Sequence, residues 1–273
     1  MEVRGKVIVV TGGALGIGRA LCRRFALEGA RAIVVADIHE AGAKAVAEEV
    51  QGRAVICDVR REGDIVRLVA FAEETFGSVD CFCSNAGILI TGGVEVADRD
   101  WNRIWETNVL SHIYAARAVI PGMIARGGGV FMITASAAGL LSQIGSAPYS
   151  VTKHAAVGLA ENLDITYAEQ GIKVFALCPQ AVSTEMTRDG AVAAAVSVAA
   201  VDGMMPPEQL ADAVIEGFKR EEFLILPHPE VKTYMQRKTA DYDRWLKGMR
   251  RLQARALQGA PLKKQPQEEG MNH

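Results

Sequence analysis

Lys6-Val-Ile-Val-Val-Thr-Gly-Gly-Ala-Leu-Gly-Ile-Gly18 decides the fold. Its first half is a short unbroken apolar run rich in β-branched residues, the composition of a strand buried on both faces of a parallel sheet. Its second half is a glycine-rich turn. Directly behind it Ala20, Leu21, Phe25, Ala26 and Leu27 recur at helical spacing, and Gly29 stops them. Strand, turn and helix in that order put the turn at a helix N-terminus, where unpaired N–H groups and the helix dipole favour an anion. Glycines let the backbone turn tightly there and let a pyrophosphate approach the main chain. Gly12, Gly16 and Gly18, with Leu15 and Ile17 between them, give Gly-x-x-x-Gly-x-Gly rather than the common Gly-x-Gly-x-x-Gly dinucleotide pattern. The physical job is similar.

From that unit the pattern repeats. A second strand, Ala32–Ala36, ends at Asp37-Ile38, and a helix reads over about 40–50. A strand over 53–57 ends at Asp58-Val59, followed by a helix at 62–76 and a strand at 79–83 that runs into Ser84-Asn85-Ala86-Gly87. A long helical stretch covers about 98–126, with a kink or break expected at Pro121. Strand 130–134 leads to Ala135-Ser136, a helix covers about 149–169, and strand 173–177 closes on Cys178-Pro179. Helix 207–219 and strand 223–226 complete the set. This alternation predicts an α/β fold: a single Rossmann-type doubly wound parallel sheet of about seven strands with helices on both faces. Residues 1–229 make that domain, 230–257 a C-terminal amphipathic helical extension, and 258–273 a disordered tail.

Whole-chain properties exclude several classes. At 273 residues, 49% hydrophobic and 23% charged, the chain can bury a sizeable core. A formal net charge of −2 gives no global attraction to nucleic acid or to a membrane surface. No apolar run reaches the roughly 18 residues of a membrane span and no signal-peptide pattern opens the chain, so a cytoplasmic protein is expected. Five cysteines, at 22, 57, 81, 83 and 178, are odd in number and lack metal spacing; they read as reduced, mostly buried thiols. The histidines at 39, 112, 154, 228 and 273 form no ligand-spaced cluster with them, so no metal is expected. Ala191–Val201 is almost all alanine and valine, and Met204-Met205 follow. Lying after a strand C-terminus, the run reads either as a helix on the core or as a mobile apolar lid. In 230–257, Tyr234, Tyr242, Trp245, Met249, Leu252, Ala256 and the aliphatic stem of Lys238 recur at gaps of three or four. They give one amphipathic helix that packs on its own subunit or on a partner, rather than on a membrane.

Pro148 opens a helix whose apolar points are Ala155, Val157, Leu159, Ala160 and Leu163; Tyr149 and Lys153, four residues apart, share one face of it. A phenol beside an ammonium is a usable base. One positive charge about 4 Å away, at an effective dielectric near 20, supplies about 4 kcal/mol, enough to lower a tyrosine pKa from about 10 to about 7. A tyrosine and a lysine so spaced are also common on helices that do no chemistry. Asp37 lies nineteen residues beyond Gly18 at a strand end, where a carboxylate accepts hydrogen bonds from an adenosine ribose. A 2′-phosphate there would meet a like charge, and the loop at 12–17 holds no Lys or Arg to compensate, so NAD is preferred over NADP. Asp58 ends the third strand within reach of an adenine amino group, with Val59 against the ring.

Together, Thr11-Gly-x-x-x-Gly-Ile-Gly18, Asn85-Ala-Gly87, Ser136 and Tyr149-x-x-x-Lys153 resemble the short-chain dehydrogenase/reductase family, in family order over about residues 5–227. The resemblance implies an NAD-dependent oxidoreductase interconverting a secondary alcohol and a ketone, with 1–229 as its catalytic domain. Tyr149 would be the catalytic acid/base, and Lys153 would lower its pKa and hydrogen-bond the nicotinamide ribose. Ser136 would hold the substrate oxygen, and Asn108 a water for proton relay to the lysine. Cofactor contacts implied are Gly12, Leu15, Gly16, Ile17, Gly18, Asp37, Ile38, Asp58, Val59, Asn85, Ala86, Gly87, Tyr149, Lys153, Pro179, Val182 and Thr184, the last for the nicotinamide carboxamide. Substrate contacts are Ser136, Tyr149, Gln180 and Met186.

Three departures accompany the match. Ser84 takes the first asparagine position of the family's usual Asn-Asn-Ala-Gly, Gln180 replaces the usual glycine after Pro179, and Leu226-Pro-His-Pro229 stands where Val-Asp-Gly-Gly is frequent. Met186, the Ala/Val run and Met204-Met205 suggest an apolar small-molecule alcohol or ketone. The resemblance suggests a homodimer or homotetramer built on the helices at 98–126 and 149–169. Two rivals remain. A catalytically idle NAD-binding redox sensor should lack part of the set Asn108, Ser136, Tyr149 and Lys153. An epimerase or dehydratase on the same scaffold would show no net NADH.

Overall fold

The computed structural model describes residues 1–188 and 198–258. In it β1 (Val7–Thr11), β2 (Ala32–Asp37), β3 (Arg53–Ile56), β4 (Cys81–Ser84), β5 (Gly129–Thr134), β6 (Ile172–Leu177) and β7 (Leu224–Ile225) form one sheet in the order β3-β2-β1-β4-β5-β6-β7. Every pairing is parallel, so each connection must cross over a face of the sheet. Helices α1 (Gly16–Leu27), α2 (Glu40–Glu49) and α8 (Pro207–Arg220) cover one face. Helices α3 (Glu62–Phe76), α5 (Ser111–Ala125) and α6 (Ala147–Tyr167) cover the other.

Alternation along the strands divides the core between these layers. Val9, Phe82, Phe131 and Val174 face α3, α5 and α6, while Ile8, Val10, Cys83, Met132 and Phe175 face α1, α2 and α8. Phe82 stacks on Phe131 at 5.8 Å, and Phe218 bridges Phe25 and Phe175 at 6.2 and 4.7 Å. Cutting any of these rings to alanine would cost about 3–5 kcal/mol. The five cysteines are unpaired and buried, with Cys81 and Cys83 on one face of β4. Among the described residues no helix is long and apolar enough to cross a membrane.

The chain runs outward from β1 to β3, then returns to place β4 on the other side of β1. The carboxyl ends of β1 and β4 therefore part at a topological switch point, where ligands bind in such sheets.

Two elements differ from expectation. The 98–126 stretch is not broken at Pro121. Instead α4 (Asp98–Trp105) passes through a π-helical turn, Glu106–Leu110, into α5, which continues past the proline. Val119, Ile120 and Met123 are buried around Pro121, and that packing overrides the local cost of the missing N–H. The C-terminal extension is two helices, α9 (Glu230–Ala240) and α10 (Tyr242–Leu257). Asp241 leaves helical geometry at φ −153°, ψ 95°, and its carboxylate caps α10 by accepting the Arg244 N–H at 2.9 Å. Most of the alanine/valine run (189–197) and the tail from 259 onward lie outside the described residues.

Candidate active site

The glycine turn lies in the switch-point crevice. Gly12 has φ +65°, and a Cβ on it would stand 2.9 Å from Ala86 Cα; a Cβ on Gly18 would stand 2.0 Å from the Gly12 carbonyl oxygen. Only glycine lets the turn and α1 approach this closely. Helix α1 begins behind Leu15 with no side-chain cap and no acidic residue in its first turn, which leaves its leading N–H groups to an anion. Thr11 Oγ accepts the N–H groups of Asn85 and Ala86 at 2.9 and 3.2 Å. Asn85 Nδ2 donates to Thr11 O at 3.0 Å while its Oδ1 accepts from Thr134 Oγ at 3.0 Å. The segment Asn85-Ala86-Gly87 is thus pinned between β1 and β5.

Asp37 ends β2 with Oδ2 accepting the Ala14 N–H at 3.0 Å and Oδ1 the His39 N–H at 2.9 Å. The carboxylate is fixed against the glycine loop, with Ile38 exposed beside it. Asp58 is gripped by Arg60 at 2.7 Å, which holds its carboxyl below the usual carboxylate range; Val59 next to it is buried. Arg60 therefore competes for the oxygens expected to meet adenine. Across the crevice, a Cβ on Gly16 would stand 3.0 Å from Thr184 Cγ2. Val182 bridges Met205, and Met186, on the single turn α7 (Glu185–Arg188), is exposed.

Ser136, Tyr149, Lys153 and Asn108 converge beside this crevice. Pro148 occupies the first turn of α6, where its missing N–H costs nothing, and Ser146 caps the helix by accepting the Tyr149 N–H at 3.2 Å. One turn on, Lys153 is buried; its Nζ donates to Thr134 O at 2.8 Å and lies 5.6 Å from the Tyr149 ring centroid. The Ser136 hydroxyl donates to Pro179 O at 3.3 Å, accepts the Ala138 N–H at 3.1 Å, and is in hydrogen-bonding contact with the Tyr149 phenol. Asn108 sits inside the π turn. Its Oδ1 accepts the Ile88 N–H at 2.8 Å, and its Nδ2 donates to Ile88 O at 2.9 Å and Thr152 Oγ at 3.3 Å. Its side chain is spent on holding the Gly87-Ile88 backbone, so that Asn108 Oδ1 and Lys153 Nζ flank one point, 3.3 and 3.5 Å from where a Gly87 Cβ would be.

Burial, not the lysine, dominates the phenol in the protein alone. Desolvation pushes Tyr149 above the ordinary tyrosine range, and the hydrogen bond with Ser136 offsets only part of that. The same burial pushes Lys153 down to about 8. In the protein without cofactor, the lysine charge therefore does not bring the phenol down to about 7. The point-charge estimate left out the desolvation of the phenolate, and Lys153 sits in the same dry pocket.

Several members of the site were not foreseen. Ser84 Oγ lies 2.6 Å from Nδ1 of the buried His112 on α5, and burial, then the Lys153 charge, lowers that imidazole to about 3. Ser84's departure from the asparagine pattern was the sole hint of it. On the other side, the Gln180 N–H donates to His228 Nδ1 at 3.2 Å, Gln180 Nε2 to Asp202 Oδ2 at 3.4 Å, and the Tyr234 hydroxyl to Asp202 at 2.9 Å. No local pattern connects those four.

Comparison with known proteins follows the same lines. A family model described as short chain dehydrogenase matches residues 6–193. A 3beta-hydroxysteroid dehydrogenase 2 from Eggerthella lenta is 35% identical over 190 residues, 67% of this chain and 73% of the relative. A 1-deoxy-11-beta-hydroxypentalenate dehydrogenase from Streptomyces exfoliatus is 32% identical over 241 residues, 85% of this chain and 86% of the relative. The crystal structure of a short chain dehydrogenase/reductase from Burkholderia phymatum in complex with NAD superposes with TM-score 0.82 at 27% identity, covering 89% of this chain and 96% of that one.

Proposed function

The chain belongs to the short-chain dehydrogenase/reductase family and is an oxidoreductase, and on that premise we propose that it interconverts a secondary alcohol and a ketone with NAD. The observation that carries this is the convergence of Ser136, Tyr149 and Lys153 beside a crevice built for a dinucleotide. The uncapped N-terminus of α1, the bare backbone at Gly12 and the fixed Asp37 carboxylate fit that cofactor, and a ribose 2′-phosphate would face Asp37. The named relatives are dehydrogenases and the Burkholderia structure holds NAD; both agree with this assignment.

Ser136 would donate to the alcohol oxygen, and Tyr149, having first given up its own proton to become a phenolate beside the Lys153 ammonium and a bound oxidised nicotinamide, would accept the alcohol proton and return to the phenol. Bound in its oxidised form, the nicotinamide supplies the hydride acceptor and a cation beside Tyr149. Lys153, anchored on Thr134 O, keeps its ammonium near the phenol and the ribose. Asn108 holds the Ile88 backbone in place so that the pocket wall next to Lys153 does not move. The five unpaired, buried thiols suit a reducing compartment such as the cytoplasm. The presence together of Asn108, Ser136, Tyr149 and Lys153 disfavours an idle NAD-binding protein.

Tyr149→Phe tests the assignment. With a panel of secondary alcohols and NAD, NADH formation should fall by a factor of roughly 10²–10⁴, while NADH affinity stays within about twofold. Parental turnover in that variant would sink the role given to Tyr149, and an active wild type with no net NADH would favour an epimerase or dehydratase.

A further inference from the structure

We propose that α9 is a brace for the alcohol site: Tyr234 and Lys238, one turn apart, each grip one of the two segments that meet at Ser136. The brace fixes the spacing of those segments and so selects the bulk of the alcohol accepted. This rests on the dehydrogenase assignment above and deepens it.

The two segments leave the sheet at neighbouring strand ends. One follows β5 through Ser136 to Leu141, and the other follows β6 through Pro179 and Gln180. They are tied at the base, where Pro179 O accepts the Ser136 hydroxyl at 3.3 Å and the Ala137 N–H at 2.8 Å. The first segment then curls, with the Leu140 and Leu141 N–H groups donating to Ala137 O at 3.1 and 2.8 Å. In the second, the Met205 N–H donates to Ala181 O at 3.0 Å and the Ser183 N–H to Met205 O at 2.9 Å. That short ladder returns the chain to Gln180, whose Nε2 donates to Asp202 Oδ2 at 3.4 Å.

Helix α9 holds both. Lys238, only 8% exposed, spends its ammonium on Leu140 O at 2.8 Å and Leu141 O at 2.9 Å; a cation that deep stays charged only with its donors met. The Tyr234 hydroxyl donates to Asp202 at 2.9 Å. Burial, then the hydrogen bond to Asp202, push that phenol up to about 12, so it stays a donor at neutral pH. At the head of the helix, His228 Nδ1 accepts the Gln180 N–H at 3.2 Å, and the ring has a further backbone hydrogen bond with Ala181. The Val231 N–H donates to His228 O at 3.2 Å, joining that anchor to the first turn. Between the two grips lie four residues of helix, a rise of about 6 Å that cannot stretch.

Tyr234 and Lys238 are positioning residues, since neither touches the reacting atoms. An apolar alcohol gains most between walls already in place, because walls that must be ordered on binding subtract from affinity. One methylene more or less in a fixed apolar pocket changes kcat/KM by roughly 10–200-fold.

The test oxidises cyclohexanol, decalinol and androstanol with NAD and the full chain, and reads the ratio of kcat/KM between the best and the worst of them. In the wild type that ratio should be about tenfold or more. Tyr234→Phe keeps the ring and drops one hydroxyl. It should cut the ratio at least about threefold through KM of the best alcohol, with kcat within about twofold. Lys238→Met should act in the same direction. A brace freed at one end no longer sets the spacing, so the double variant should change the ratio no more than the larger single one. Two separate wall contacts would multiply instead. Lys232→Met, on the exposed side of α9, is the control and should match the wild type. Fluorescence titration of the same alcohols into the NADH-bound proteins reads the ratio as affinities, without turnover. Tyr234→Phe alone decides the matter if Lys238→Met folds poorly. A wild type indifferent to bulk, a ratio that Tyr234→Phe leaves unmoved, multiplying effects, or an equal change in Lys232→Met each overturns the brace and leaves the dehydrogenase assignment standing. Affinity ratios that flatten as expected, with no NADH formed from any alcohol, support the brace and refute the dehydrogenase assignment instead.

Discussion

At the residue scale, the active site keeps a cation where the fold would prefer none. Lys153 is 3% exposed, and its pKa falls from an ordinary 10.5 to about 8 on folding, with burial as the leading cause. A lowered lysine pKa means that the unfolded chain binds more protons than the folded one between those two values. Stability from this group therefore rises as pH climbs from about 8 towards 10.5, and the burial penalty is complete below 8. At about 1.4 kcal/mol per pH unit the penalty is roughly 3 kcal/mol, and leaving Thr134 O without its donor returns about 1. Lys153→Met should accordingly stabilise the fold at pH 7 by about 2 kcal/mol, raising Tm by roughly 4–8 °C, while turnover drops at least about a hundredfold. Differential scanning calorimetry beside a rate assay checks both; a lower Tm would mean the ammonium contributes to folding. Asp37 carries the cofactor preference by charge. Asp37→Asn removes the charge yet keeps an acceptor for the Ala14 or His39 N–H, so the NAD:NADP ratio of kcat/KM should fall at least about tenfold. An unchanged ratio would refute the role given to that carboxylate.

At the element scale, the C-terminal extension is fastened to the active-site wall by Lys238. Its Nζ donates to Leu140 O at 2.8 Å and Leu141 O at 2.9 Å, in the segment that follows Ser136. The break at Asp241 turns α10 so that the Tyr242 and Trp245 rings lie 5.5 and 5.0 Å from the same ammonium. Lys238→Met keeps the stem and removes the charge. We expect a loss of about 1–3 kcal/mol in unfolding free energy and a severalfold higher KM for the alcohol, with NADH affinity within about twofold. Unchanged KM would show that residues 137–146 hold their shape without α9. This contact also shows where the sequence was legible and where it was not. Val7–Val10, the glycine turn and the helix behind it each obey a local rule, so the strands and the cofactor crevice could be read directly. Lys238 was legible only as an apolar stem, because its carbonyl partners lie about a hundred residues away. The π turn at Glu106–Leu110 was hidden because one extra residue per turn barely disturbs helical spacing, while Pro121 advertised a break that packing overrides. Ser84–His112 and Gln180–Asp202, 28 and 22 residues apart, are made by tertiary structure alone. The sign of the Tyr149 shift depends on burial, which no spacing records.

At the scale of the whole molecule, the outer face of α6 suits the homodimer or homotetramer that the sequence resemblance suggests. Val151, His154, Gly158, Asn162 and Ile165 follow one another at gaps of three or four and point away from the sheet, with Ile165 81% exposed. A Cβ on Gly158 would meet nothing within 4 Å among the described residues. A glycine in mid-helix costs roughly 0.5–1 kcal/mol relative to alanine, and no contact among the described residues gains from it. A second helix does, because a bare backbone permits close approach, and a two-fold axis would set this stripe against its own copy. Gly158→Leu separates the two explanations. Within one protomer the leucine has room and improves helix propensity, so circular dichroism should be unchanged. At the interface its bulk would hold the helices apart, so the mass from light scattering should drop to that of a smaller species. Leu246→Ser on the exposed side of α10 is the control and should leave the mass as it was. A Gly158→Leu protein of parental mass, with Leu246→Ser dissociated, would move the interface from α6 to the C-terminal helix.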